Sequence, residues 1–180
     1  MMFPNEPKPY RVARKRLLRA EIALRRKLPA GGKVPQDYVF EEGDPPRAVK
    51  LSELFGERDT VVAYSFMYGP QMAKACPMCT SMLDGLDGNA QHIAQRANLV
   101  VIAKSPIARI LDYARGRSWS NLRLLSSAGN SYNADYLGEA ADASQLPMLN
   151  VFARRKGAMR HFYGTELLFA KADPGGKRGE

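Results

Sequence analysis

Two thiols three positions apart can do one of three things: close a disulfide, share a metal ion, or fill an apolar space. Cys76 and Cys79 are the two cysteines of this 180-residue chain. The segment Cys76-Pro77-Met78-Cys79 follows an apolar run and a loop, Gly69 to Ala75, and opens a stretch with helical spacing. At a helix N-terminus, unpaired N–H groups and the positive end of the dipole favour a thiolate over a thiol. Pro77 suits the first helical turn, where its missing N–H would have no partner anyway. The spacing therefore suggests Cys76 as the attacking thiolate and Cys79, one turn further in, as the thiol that resolves a mixed disulfide. Lys74 is close enough in sequence to favour the Cys76 thiolate electrostatically. Metal binding has little else to draw on. An iron–sulfur cluster usually wants four cysteines, and zinc would have to recruit His92 and His161, which lack paired spacing. No cofactor and no metal is expected, and two buried thiols acting as small apolar side chains stay open as the alternative.

The elements that would position this pair can be read from hydrophobic period. Val61 to Tyr68 is apolar and rich in β-branched or aromatic residues, which predicts a buried strand leading into the cysteine loop. Pro77 to Ala97 reads as the helix that the cysteines open, Leu99 to Ala103 as a second strand and Pro106 to Arg115 as a second helix. Leu122 to Leu125 reads as a brief strand, Ser126 to Ser131 as a polar loop, and Met148 to Ala153 with Met159 to Tyr163 as a hairpin. Upstream, Tyr10 to Leu28 has helical spacing until Pro29 and Gly31-Gly32 end it. Val34 to Phe40 reads as extended, Glu42 to Arg47 as a turn-rich link, and Ala48 to Phe55 as a small strand running into a helical turn. Glu166 to Lys171 is expected as a short helix. Strands alternating with helices and closed by a hairpin predict an α/β fold with a central mixed β-sheet flanked by helices. The expected organisation is a basic N-terminal helical arm over 1–33, the α/β domain over 34–172, and a frayed tail over 173–180.

Charge narrows the partners. The chain carries a formal net charge of +9, but residues 1–33 hold ten Lys or Arg against Glu6 and Glu21. Residues 34–180 are close to neutral, with seventeen basic against sixteen acidic side chains. A basic footprint for nucleic acid across a folded face is thus disfavoured. The arm reads first as an amphipathic helix packing on its own domain or pairing with a second copy to form a homodimer. A nucleic-acid arm and an anionic membrane contact are the other two readings. No run approaches the ~18 apolar residues of a membrane span, and the N-terminus lacks the apolar segment of a secretory signal. A cytoplasmic protein is expected.

Gln145-Leu146-Pro147-Met148-Leu149-Asn150-Val151-Phe152 is similar to the thioredoxin segment in which a cis-proline precedes a central strand. That resemblance implies that Pro147 is a cis-proline that packs against the cysteine pair and meets the substrate backbone; a trans proline simply beginning a strand is the alternative. The whole chain, over about residues 10 to 170, resembles the bacterial domain-of-unknown-function family 899. The segments that carry the likeness are Arg25-Arg26-Lys27-Leu28-Pro29, Val34-Pro35-Gln36-Asp37-Tyr38-Val39-Phe40 and Leu51-Ser52-Glu53-Leu54-Phe55-Gly56. Further on come Phe66-Met67-Tyr68-Gly69-Pro70, the cysteine motif itself, Asp84-Gly85-Leu86-Asp87-Gly88 and Ser126-Ser127-Ala128-Gly129. The resemblance implies a thioredoxin-like fold and a dithiol–disulfide oxidoreductase whose site residues are Cys76, Pro77, Cys79 and Pro147. Its partner would be a disulfide-containing protein or a small-molecule thiol substrate.

Two departures from the thioredoxin pattern matter. Thioredoxins carry an Asp in the strand before the cysteines, whereas Val61 to Tyr68 contains no carboxylate. Tyr64 and Ser65 are its nearest polar groups, so the group that takes the proton from Cys79 is left unassigned. The fold also ends in a covering helix, for which little chain follows Glu166 to Lys171. Other signals read as structural. Asp84-Gly85-Leu86-Asp87-Gly88 lacks calcium-loop ligand positions and reads as a polar helix face or kink. Trp119 reads as a packing residue or lid, His92 and His161 as surface or strand residues, and Asn130, Asn133 and Asp135 as turn formers. A peroxiredoxin-like thiol peroxidase and a non-catalytic thioredoxin-like binding module remain the two rival functions.

Overall fold

Residues 5–27 and 31–166 are described by the structure, a computed structural model. The chain divides into two compact units, Met1–Gly31 and Gly32–Glu180. Among its described residues the first unit holds one helix, α1 (Lys8–Arg26). Its entry is tied by the Glu6 carboxylate, which pairs with Arg11 at 3.2 Å and Arg14 at 2.9 Å. Val12, Leu17, Leu18 and Leu24 are exposed among its basic side chains. Among the described residues no helix is long and apolar enough to cross a membrane.

Among the described residues the second unit holds one eight-stranded sheet with a core on each face. Its strands are β1 (Gly32–Lys33), β2 (Val39–Glu42), β3 (Arg47–Lys50), β4 (Thr60–Ser65), β5 (Asn98–Ala103), β6 (Arg123–Ser126), β7 (Met148–Arg155) and β8 (Ala158–Glu166). The order across the sheet is β1-β8-β7-β4-β5-β6-β2-β3. Strands β4, β5 and β6 run parallel, joined through α2 (Pro77–Ile93) and α3 (Ile107–Arg117), and the remaining pairs are antiparallel. This is the expected mixed sheet. The alternation of side chains along β4 and β5 decides what each face packs against. Val61, Ala63, Val100 and Ile102 face a core built with Tyr38, Phe40, Leu54, Phe55, Tyr132 and Phe152. Tyr64, Val101 and Ala103 face the other core, filled by Cys79 and Leu83 of α2 and by Ile107 and Ile110 of α3.

The sheet cannot be flat. Six strand-to-strand steps of about 4.8 Å would put β1 about 29 Å from β2, yet the chain from Lys33 to Val39 reaches about 22 Å at most. The sheet therefore curls, and residues 34–38 cross the concave side with Val34 and Tyr38 buried in its core.

Several elements differ from the sequence expectation. Helix α2 ends at Ile93 rather than Ala97, and residues 94–96 close it as turns. Pro106 caps α3 from outside instead of opening its first turn. The stretch expected to be extended from Val34 to Phe40 is split: residues 34–38 belong to no strand, although the Val34 N–H still donates to the Met159 carbonyl of β8 at 3.1 Å. The hairpin strands are longer than expected, and Glu166, expected to open a helix, is the last residue of β8. Lys156 and Gly157 both have positive φ, 50° and 77°. That is the turn whose twist continues an antiparallel pair. Asn133 and Asp135, read as turn formers, belong to a short helix α4 (Tyr132–Asp135) that follows the expected loop, with the Asn130 side chain accepting the Tyr132 N–H at 2.9 Å. The rest of the expected 166–171 helix and the whole 173–180 tail lie outside the described residues.

Candidate functional site

Strand β4 delivers the chain to the cysteines. Its continuation is anchored by Phe66 N–H to the Ile102 carbonyl at 2.8 Å and by Ser105 N–H to the Tyr68 carbonyl at 3.1 Å. Arg109 of α3 then holds the loop before the cysteines. Its guanidinium donates to the Gly69 carbonyl at 3.1 Å and to the Met72 carbonyl, and it stacks 4.2 Å over the Tyr68 ring. Cys76 N–H donates to the Met67 carbonyl at 3.1 Å, which folds the loop back on itself.

Cys76 is the N-cap of α2, with φ −62° and ψ 123°, and Pro77 is in the first turn. The Cys76 Sγ accepts the Cys79 N–H at 3.5 Å, so the sulfur stands where an N-capping oxygen would stand. Cys76 is half-buried, whereas Cys79 is 2% exposed, and neither is in a disulfide. Thr80 ties the turn, donating its hydroxyl to the Cys76 carbonyl at 2.9 Å, and its Oγ1 is 2.8 Å from the Tyr113 hydroxyl.

Around Cys79 the balance is different. Burial pushes its thiol above the ordinary range, against hydrogen bonds from the Tyr64 hydroxyl and the Met67 main chain that favour the thiolate. Tyr64 is 1% exposed, and its phenol is raised by burial and by the neighbouring cysteines. Asp84, the nearest carboxylate along α2, faces elsewhere. It accepts from Arg117 and from Trp119 Nε1 at 2.8 Å, while Asp87 accepts the Asn121 N–H at 2.8 Å. The Asp84–Gly88 segment is thus the polar face that ties α2 to the α3–β6 loop, and Trp119 packs on Phe66 and Tyr113.

Pro147 immediately precedes β7 and is buried. Met148 pairs with Ser65, so Pro147 is at the end of the sheet from which the cysteine loop leaves. The cis-proline expectation for Pro147 does not hold. Among the described residues the cis peptide is Asp44–Pro45, and the Leu146–Pro147 bond is trans. The physical reason is local pairing. Glu139 bridges Gln145, and Leu146 N–H donates to the Gly138 carbonyl at 2.9 Å, which keeps the chain extended into β7.

Two grooves border the loop that leads to the cysteines. One, about 450 Å³, is lined by Tyr68, Lys74, Pro77, Thr80 and Tyr113. The other, about 400 Å³, runs between the cysteine loop and the 139–145 loop, lined by Met67, Gly69, Met72, Glu139 and Gln145. Gly69 is required there, since a Cβ would stand 2.9 Å from Gln145 Cγ. A larger cavity of about 670 Å³, lined by Tyr136, Met148, Asn150 and His161, opens on the opposite face of the sheet. His92 is on the last turn of α2 and His161 is on β8, bonded to Asn150 at 2.8 Å. Among the described residues no three His, Cys, Asp or Glu side chains gather as a metal set.

Sequence reasoning missed Arg109, because an arginine on an amphipathic helix carries no signal of the loop it holds. It named Tyr64 without giving it a role, since only the packing of β4 on α2 brings it into the same core as Cys79.

Solved structures of low sequence identity share this fold. An exposed lipoprotein thioredoxin (Etrx1) from Streptococcus pneumoniae matches at 13% identity and TM-score 0.53, over 75% of this chain and 92% of its own. A reduced 2-Cys peroxiredoxin from Plasmodium vivax matches at 18% and 0.55, over 81% and 91%. The peroxidoxin BcpB from Mycobacterium tuberculosis matches at 20% and 0.56, over 77% and 88%. The fold is thioredoxin-like. No curated protein matches the chain by sequence. The family model described as bacterial protein of unknown function (DUF899) spans residues 4–179, and the chain belongs to that family.

Proposed function

We propose that this protein is a thiol–disulfide oxidoreductase that cycles Cys76 and Cys79 between dithiol and disulfide. The observation that carries the reading is the asymmetry of the pair. Cys76 is reachable and caps a helix, while Cys79 is buried one turn inside with its N–H on the Cys76 sulfur. The Cys76 thiolate attacks one sulfur of a disulfide, forming a mixed disulfide and expelling a thiolate. Cys79 then attacks Cys76 Sγ, closing the intramolecular disulfide and releasing the second thiol. Pro77 fixes the first turn, and Pro147 bounds the end of the sheet from which a substrate chain would approach. The substrate class is a protein disulfide or a small-molecule disulfide, and the cellular setting is the cytoplasm.

Equilibration in glutathione redox buffers, read by thiol trapping and mass spectrometry, tests this. A reversible disulfide with a potential of roughly −120 to −270 mV is expected. No reversible disulfide would sink the dithiol mechanism. A thiol peroxidase is the second reading, favoured by the match to peroxiredoxin folds and by the reachable Cys76. Peroxide consumption that disappears in Cys76→Ser would select it. The apolar side chains exposed along α1 fit contact with a second copy. Sedimentation should then give a dimer for the full chain and a monomer once residues 1–30 are removed.

A further inference from the structure

We propose that the cavity on the concave side of the sheet binds a small, uncharged aromatic molecule bearing an amide or amide-like N–H and C=O edge. The site is separate from the cysteine pair and does not depend on the oxidoreductase reading.

Three departures from regular strand structure converge there. The first is a register shift in the β7–β8 hairpin. Asn150 pairs with Gly164 and Phe152 with His161, so β8 holds one residue more than β7 between the two pairs. In a regular strand, positions 161 and 164 would face opposite sides of the sheet. The bulge turns both toward the side on which Asn150 and Phe152 lie. The second departure is Gly164, inside a nine-residue strand, where glycine weakens the pairing and often marks a close approach. Its φ is not positive, so the backbone there suits any residue. A Cβ, however, would stand 2.9 Å from Asn150 Oδ1 and 3.1 Å from His161 Cε1. The glycine makes room. The third departure is Asn150, an amide with no exposed surface. Its Oδ1 is 2.8 Å from His161 Nε2, and its Nδ2 donates to the Tyr136 carbonyl at 3.4 Å. An amide offers two donors and two lone pairs, so these bonds take half of its capacity. An apolar side chain at position 150 would need neither the bulge nor the glycine.

All three residues line the cavity, together with Tyr136 and Met148. Its volume, about 670 Å³, suits a small molecule. The Tyr136 and His161 rings, 5.0 Å apart and inclined at 56°, form an aromatic wall. Charge on the ligand is disfavoured. Burial holds the His161 imidazole below its ordinary range, so it is uncharged at neutral pH. Among the described lining residues there is no Lys or Arg to meet an anion. The carboxylate that lines it, Asp135, is exposed and accepts the Tyr38 and Ser131 hydroxyls at 2.7 Å. An ion inside would lose its water without gaining a buried counter-ion. An amide edge would instead meet the remaining capacity of Asn150.

Proton NMR titration of the full chain with benzamide, benzoate and benzamidinium tests this, because the three probes share a shape and differ in charge. The chain has two histidines, so His92 on α2 is the internal control. Benzamide should shift the His161 ring signals saturably and leave His92 unmoved, with a dissociation constant on the order of 1–10 mM. The two charged probes should each bind about tenfold more weakly. Gly164→Ala, whose Cβ displaces the Asn150–His161 pair, should weaken benzamide about tenfold. If that variant does not fold, cross-relaxation between the benzamide ring protons and the Met148 methyl group in the wild-type chain decides the matter. No saturable shift at His161, no such cross-relaxation, or unchanged affinity in folded Gly164→Ala would overturn the site. Equal binding of the three probes would overturn the ligand class.

Discussion

At the scale of single residues, the two cysteines are chemically unequal because of where a helix begins. Cys76 takes its position from an N-cap and a half-exposed surface, Cys79 from a core. That inequality predicts different fates for the two single-thiol variants. Cys79→Ser should accumulate a stable mixed disulfide at Cys76 when mixed with a disulfide substrate, seen as one adduct by intact mass. Cys76→Ser should give little adduct under the same conditions, because the remaining thiol is buried and raised above its ordinary range. Equal labelling of the two variants would remove the division of roles. The motif itself was fully legible in sequence, since residue type and spacing define it. Tyr64 was visible as a residue but not as a member of the Cys79 core, because a strand and a helix must pack before their side chains share one.

At the scale of elements, two arginines hold parts that do not follow one another in the chain. Arg109 fastens the loop before the cysteines to α3. Arg109→Met should cost about 2 kcal/mol, in the range of hydrogen bonds from a charged donor, and should raise amide exchange in residues 69–75 well above that of β4. Exchange unchanged in that loop would show that the loop stands without it. Arg123 of β6 pairs with Glu42 of β2 at 2.8 Å, and Arg47 of β3 joins the same carboxylate. Burial pushes the Glu42 carboxyl up, but Arg123 and Arg47 together hold it below its ordinary value. A depressed carboxyl contributes stability above its unfolded value, near 4.5, and that contribution is lost as pH falls through the lower folded value. Glu42→Gln should therefore lower stability at pH 7 by about 1–2 kcal/mol, less than a fully buried pair because both arginines are partly exposed. It should also flatten the acid side of the stability curve, as urea unfolding between pH 7 and 3 would show. The strands and helices around these arginines were legible from hydrophobic period. What the period does not carry is the partner of each edge strand, so the pairing of β2 with β6 and of β1 with β8 had no signal.

At the scale of the whole molecule, the basic arm and the cysteine pair belong to different units. Removal of residues 1–30 should therefore leave the potential of the Cys76–Cys79 couple unchanged. A shifted potential in the shortened chain would mean that the arm acts on the site. The charge count already separated these two regions in sequence, because a helix with ten basic side chains near it and a nearly neutral remainder differ in composition. The curl of the sheet was not legible, since it follows from which strands close the edges. It also sets an order of events during synthesis. Residues 32 and 33 pair with residues 160 and 161, and Glu41 pairs with Ser126. A ribosome thus delivers the first edges long before the strands that will receive them. Until β8 emerges, the crossing segment has nothing to close upon, and the side of the sheet that it will bury stays open to whatever holds nascent chains.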